Sequence, residues 1–152
     1  MWQRLKNTFL SLQTYDVLSP DFEQRRQVNR VLRGRPALSL HKWFRVHYQP
    51  SGIAPSVAAF VYRYLEKYSG LRIARVLPSD RLETDLHWTE VCWFDWETRL
   101  CEDFWHCFGV DMSDRLEDFA PSTVAELVEF LNCEIAQNNR SHRDNKSDNL
   151  RL

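Results

Sequence analysis

The 152-residue sequence predicts an all-α protein. Three observations carry that class. Val57, Phe60, Val61, Tyr64, Leu65 and Tyr68 follow the i, i+3, i+4 spacing of an amphipathic helix without a gap. Gly70 and Gly109 each stand just beyond such a run, where a left-handed residue commonly ends a helix. Thr123 and Glu126 have capping-box spacing at the head of a third run, Val124, Leu127, Val128, Leu131 and Ile135.

Taken in order, Trp2, Leu5, Phe9 and Leu12 predict a short amphipathic helix over 2–13. Ser19-Pro20-Asp21 predicts a helix start, with Ser19 as N-cap and Pro20 at the first helical position. Phe22, Val28, Val31 and Leu32 are its expected inner face, and Gly34 with Pro36 closes it. Leu38 to Tyr48 alternates loosely and fits a strand or a short helix equally well. Pro50, Gly52 and Pro55 mark a break. The helix from Pro55 follows, and residues 71–92 read as a long connection with a turn at Pro78-Ser79-Asp80. Asp95 is the expected cap of a second long helix with Trp96, Leu100, Cys101, Phe104 and Phe108 inward. A helical turn is expected around Arg115–Phe119, then the last helix. The polar, aperiodic stretch 137–152 predicts a disordered tail.

At 43% hydrophobic and 27% charged, the chain has enough apolar residues for a core. It is neither collagen-like nor wholly disordered. No stretch approaches the roughly 18 uninterrupted apolar residues of a membrane span. The first residues lack the pattern of a secretory leader, so a cytoplasmic protein with reduced cysteines is expected. The net charge of -1 conceals a dipole. Residues 1–50 carry 9 Lys/Arg against 3 Asp/Glu and 51–76 carry 4 against 1, whereas 77–136 carry 3 against 15. Either the halves neutralise each other, or one presents its sign to a partner.

Cys92, Cys101, Cys107, Cys133 and His106 lack the close pairs on which structural zinc sites are built, so buried free thiols and no metal are expected. The acidic run Asp80, Glu83, Asp85, Glu90, Asp95, Glu97, Glu102 and Asp103 reads as a solvated face. His41, His47, His87 and His106 are scattered, no nucleophile elbow occurs, and four glycines leave little for a phosphate loop. No enzyme and no cofactor are expected. Trp88, Trp93, Trp96 and Trp105 crowd one stretch with Phe94, Phe104 and Phe108. They are either covered by the N-terminal half through Trp43 and Phe44, or form an exposed anchor for a partner. Arg25, Arg26, Arg30, Arg33, Arg35, Lys42 and Arg45, interleaved with Trp43, Phe44 and Tyr48, have the groups a nucleic-acid arm needs. The acidic half and a pI of 6.5 count against that use.

From Ile53 to Ala136 the pattern resembles the acyl carrier proteins, including uncharacterised bacterial carrier-like families. The residues that carry the resemblance are Leu82-Glu83-Thr84-Asp85-Leu86, Phe108-Gly109-Val110 and Thr123-Val124. In carriers the corresponding elements read roughly Leu-x-x-Asp-Leu-Gly, Phe-Gly-Val and Thr-Val. The resemblance implies a helical bundle whose acidic second helix engages basic partner surfaces, with Asp95, Glu97, Glu102 and Asp103 at the matching positions. The chain departs from the pattern at the decisive place. No serine occurs between Asp80 and Met112, so the hydroxyl that would hold phosphopantetheine is missing, and His87 replaces the loop glycine.

The expectation is therefore an acyl-carrier-like helical bundle over 51–136 with a basic, helical N-terminal extension over 1–50. Its function is expected to be non-catalytic binding of a protein with a basic surface. Asp95, Glu97, Glu102, Asp103, Trp88 and Trp93 are one candidate contact set, and Arg25, Arg26, Arg30 and Arg33 are the other. The alternatives are a carrier modified at Ser79 or Ser113, and nucleic-acid binding through the arm.

Overall fold

In the computed structural model, which describes residues 18–148 and the side chains of 18–143, the apolar periodicities resolve into seven α-helices. Among these residues there is no strand, only an isolated bridge between Arg81 and Thr123. None of the helices is long and apolar enough to cross a membrane. The helix expected over 2–13 lies outside the described residues.

Helix α1 spans Phe22–Leu32. Its cap is Asp21, not Ser19: the Asp21 carboxylate accepts the Gln24 amide at 2.9 Å, and the Asp21 amide donates to the Glu90 carbonyl at 2.8 Å. A side-chain acceptor two residues further on takes the role, and Pro20 precedes the helix instead of opening it. Val28 and Leu32 are buried as expected, but Phe22 and Val31 are exposed. The inner face is completed by polar residues, Arg25 and Asn29, which apolar periodicity does not detect. Arg25 donates from Nε to the Val91 carbonyl at 2.6 Å and from Nη2 to the Tyr68 carbonyl at 3.3 Å. Asn29 donates to the Gly70 carbonyl and accepts the Arg72 amide, both at 3.0 Å. These carbonyls belong to the ends of two other helices, where intrahelical donors run out.

The ambiguous stretch 38–48 is helical: α2 spans Leu40–His47 and is capped by Ser39. Its Trp43 is fully buried, donates Nε1–H to the Val76 carbonyl at 3.0 Å, and packs against the rings of Tyr48 and Tyr62. A 3-10 turn and Gly52 in the left-handed region reverse the chain. Helix α3, Pro55–Ser69, starts on its proline and ends at Gly70, φ 68. Gly70 serves a second purpose, because a Cβ there would meet the Arg25 side chain at about 3.1 Å.

The connection 71–87 holds a 3-10 turn over Ile73–Arg75 and the expected turn at Pro78. Next come α4 (Trp88–Val91), α5 (Trp96–Phe108, closed by Gly109), α6 (Ser113–Asp118) and α7 (Val124–Asp148). The capping box forms: Thr123 Oγ1 accepts the Glu126 amide, while the Glu126 carboxylate accepts the Ser122 and Thr123 amides. No glycine or proline interrupts 124–148, so the helix runs on through residues expected to be a disordered tail.

One core joins all of this. Phe60 of α3 meets Phe104 of α5 edge-on at 5.4 Å, and Leu127, Val128 and Leu131 of α7 are fully buried with them. Val28, Leu32, Trp43 and Tyr48 belong to the same cluster, so residues 22–48 contribute side chains to that core. The basic segment covers α4 through α1. Trp43 and Phe44 were expected to cover the tryptophan-rich stretch, but Trp43 instead lies under the 71–87 connection.

Candidate functional site

The acidic second helix of the expectation is α5, and it divides its carboxylates between structure and solvent. Asp95 flanks the helix start and pairs with Arg99 one turn on, at 2.9 Å. Asp103 accepts the Tyr68 hydroxyl at 2.7 Å and pairs with Lys67 of α3 at 3.3 Å. Burial and the Asp103 contact push the Tyr68 phenol well above its ordinary value, so it stays a donor. These two carboxylates hold α5 in place. Glu97 and Glu102 are exposed and make no ion pair among the described residues.

Glu97 and Glu102 line a cleft of about 440 Å³ between α5 and α6, together with Trp105, Asp111, Ser113 and Glu117. Residues 97, 101 and 105 repeat at i, i+4, i+8, one side of α5. Gly109 at φ 67 turns the chain so that Asp111 reaches the same side. The Asp111 carboxylate accepts the Ser113 amide at 3.0 Å and the Ser113 hydroxyl at 2.7 Å, which holds it below the usual carboxylate range. Arg115 anchors α6 from behind: it donates to the Asp111 carbonyl at 2.7 Å and pairs with Glu134, a buried carboxylate of α7. The result is a half-open hollow with four carboxylates and the flank of Trp105, which is 55% exposed. Such a surface attracts cations by charge and by the ring face. Nothing in it sets a histidine or a lysine beside the Ser113 hydroxyl.

The tryptophans separate in the same way. Trp88, a candidate contact residue, is 1% exposed and packs edge-on against Trp96 at 5.8 Å. It is a core residue of α4 and offers no face to a partner. Trp93 is half-buried in the α4–α5 corner. The exposed aromatics of this stretch are Phe94 and Trp105. Of the candidate contact residues, Glu97 and Glu102 line the cleft and Trp88 is buried, while Trp105, Asp111 and Glu117 stand beside the two glutamates. In the sequence Trp105 is one of a crowd of aromatics; its helical phase relative to Glu97 is the signal that could have singled it out.

The arginines expected on one face also divide. Arg25 is turned into the fold, and burial lowers its pKa. Arg35 pairs with Asp80 through both nitrogens, at 2.6 and 2.9 Å. Arg26, Arg30 and Arg33 are exposed and share a second cleft with Arg72 and Arg75, residues outside every predicted site.

The four cysteines are free. Cys92 is buried, and burial pushes its thiol far up. Cys107 and Cys133 are exposed, against the expectation of buried thiols, because Cys133 falls on the side of α7 opposite Leu131 and Glu134. Among the described residues no three His, Cys, Asp or Glu side chains converge as metal ligands would. No family model, no curated protein and no solved structure matches the chain.

Proposed function

We propose that the chain is a carrier-shaped, non-catalytic interaction module that docks a protein partner with a basic surface and carries no phosphopantetheine. The observation that carries the proposal is the α5–α6 cleft, where Glu97, Glu102, Asp111 and Glu117 surround the exposed ring of Trp105. A lysine or arginine side chain entering there gains charge attraction and an aromatic face together. Two features support the carrier shape. The helix order long–long–short–long over α3, α5, α6 and α7 is the order that the resemblance implies. His87, where the resemblance places a loop glycine, has φ 51 and ψ 47, a left-handed conformation that glycine takes without strain.

The test is calorimetry of the full-length protein against a synthetic amphipathic helix rich in Lys and Arg. Binding should weaken with salt, and Glu102→Lys with Glu117→Lys should weaken it at least about tenfold. Unchanged affinity in that variant overturns the assignment of the face. A second reading, an atypical carrier, rests on Ser113, whose exposed hydroxyl lines the same cleft at the start of α6. Ser79, the other serine considered, sits in the turn after Pro78. Incubation with a promiscuous phosphopantetheinyl transferase separates the two: a phosphopantetheine adduct on either serine refutes the non-carrier proposal.

A further inference from the structure

We infer that the cleft between α1 and the 3-10 turn over Ile73–Arg75 binds a small, multiply phosphorylated ligand of nucleoside-polyphosphate size. This site is separate from the acidic face and does not depend on what binds there.

The cleft measures about 690 Å³. Arg26 and Arg30 of α1 and Arg33 at its C-terminal cap line it at i, i+4, i+7, and Arg72 and Arg75 line it from the turn some forty residues later. A basic run in the sequence accounts for the first three but not for their meeting the other two. Five guanidinium groups face a single lining carboxylate, Glu66. Two of the five have acid partners: Arg26 with Glu23 and Arg72 with Glu66. In both pairs the arginine side chain is about 70% exposed, so the contacts are weak and easily exchanged. Arg30 and Arg33 have no carboxylate partner among the described residues.

Arg75 is prepared differently. Its Nη1 donates to the carbonyls of Arg33 and Arg35, which fixes the turn against the end of α1 and holds the two banks of the cleft at a set spacing. The Tyr62 hydroxyl donates to the Leu38 carbonyl at 2.8 Å, so the ring is locked as a wall. Ala37 and Ala74 leave the space between the banks open.

Guanidinium forks match phosphate oxygens two at a time, and Arg26, Arg30, Arg33 and Arg72, none of them committed to a backbone carbonyl, together match more than one phosphate. The volume is that of a small-molecule site, within the range of about 300–1,000 Å³. A long polynucleotide needs a basic track beyond the hollow. The 15 Asp/Glu against 3 Lys/Arg over residues 77–136 disfavour an extended polyanion.

The experiment is titration of the full-length protein with tripolyphosphate, ATP and adenosine at matched ionic strength, read by calorimetry and by thermal unfolding. Tripolyphosphate and ATP should bind and raise Tm, and adenosine should do neither. Arg30→Glu with Arg33→Glu changes two exposed side chains and should weaken binding at least about tenfold with the helical content unchanged. Arg45→Glu, an exposed arginine outside the cleft, should leave it unaltered. Binding that survives the double substitution, or no binding of either polyphosphate at millimolar concentration, overturns the site. An RNA oligonucleotide that binds more than about tenfold tighter than ATP and depends on the same arginines overturns the small-ligand assignment.

Discussion

Removing the Asp80 carboxylate tests whether the basic segment is built into the fold. Asp80 is 4% exposed and accepts Arg35 through both oxygens, while Oδ2 also accepts the Leu77 amide at 2.8 Å. The pair joins the residue just beyond α1 to the connection after α3, 45 residues away. The carboxylate raises the Arg35 pKa, chiefly through the hydrogen bond. Asp80→Ala leaves the guanidinium and the Leu77 amide without their acceptor. Breaking a buried pair on one side costs about 3–5 kcal/mol. The Arg35 side chain is 30% exposed and recovers part of its hydration, so the expected loss is about 2–4 kcal/mol. Urea unfolding of Arg35→Ala, Asp80→Ala and the double variant yields the coupling between them, expected near 2 kcal/mol. A coupling below about 0.5 kcal/mol would refute the reasoning, because it is the value of a screened surface pair.

His87→Gly should be more stable than His87→Ala by about 1 kcal/mol, since only glycine takes φ 51 without strain; equal stability by chemical denaturation would place the loop elsewhere. Leu100, fully buried in α5, should cost about 2–5 kcal/mol when cut to alanine, and a negligible change would mean the helix faces the other way. Thiol labelling of the native protein at pH 8 should modify Cys107 and Cys133 first, Cys101 more slowly, and Cys92 only on unfolding, because burial keeps the Cys92 thiol protonated. Rapid native labelling of Cys92 would contradict its burial under α1. A fragment beginning at residue 51 should aggregate, since it loses Val28, Leu32, Trp43 and Tyr48 from the core; a monomeric, cooperatively folding fragment would show that 51–136 stands alone.

The helices that could be read from the chain are those whose inner faces are mostly apolar. The i, i+3, i+4 runs of α3 and α7 and the Leu100–Phe104 pair of α5 declare their phase, and Gly70, Gly109 and the Thr123–Glu126 box declare their ends. Helix α1 was phased correctly at Val28 and Leu32 but not at Phe22 and Val31, because Arg25 and Asn29 occupy its inner face and reach carbonyls that belong to residues 68, 70 and 91. The continuation of α7 was hidden for a related reason: beyond Ala136 it has no apolar stripe, only the absence of a breaker. Of the acidic cleft, Glu97 and Glu102 were visible as members of a charged helix. Asp111 and Glu117 join them through the Gly109 turn and α6, which local periodicity does not encode. Arg72 and Arg75 were missed for the plainest reason, namely distance along the chain.

The contacts that Arg25 makes with Tyr68 and Val91 impose an order on assembly. On a chain made from its N-terminus, Arg25 of α1 emerges 66 residues before the Val91 carbonyl to which its guanidinium donates. Until then its anchors are confined to the end of α3 and the residues beyond, where Tyr68, Gly70 and Arg72 meet Arg25 and Asn29. Full closure must await the turn of chain that carries α4, so α1 completes its docking only after α3 and the connection behind it. The arginines on its outer side keep the waiting segment hydrated and mutually repelled, a solubility role during synthesis that persists afterwards as the basic bank of a cleft.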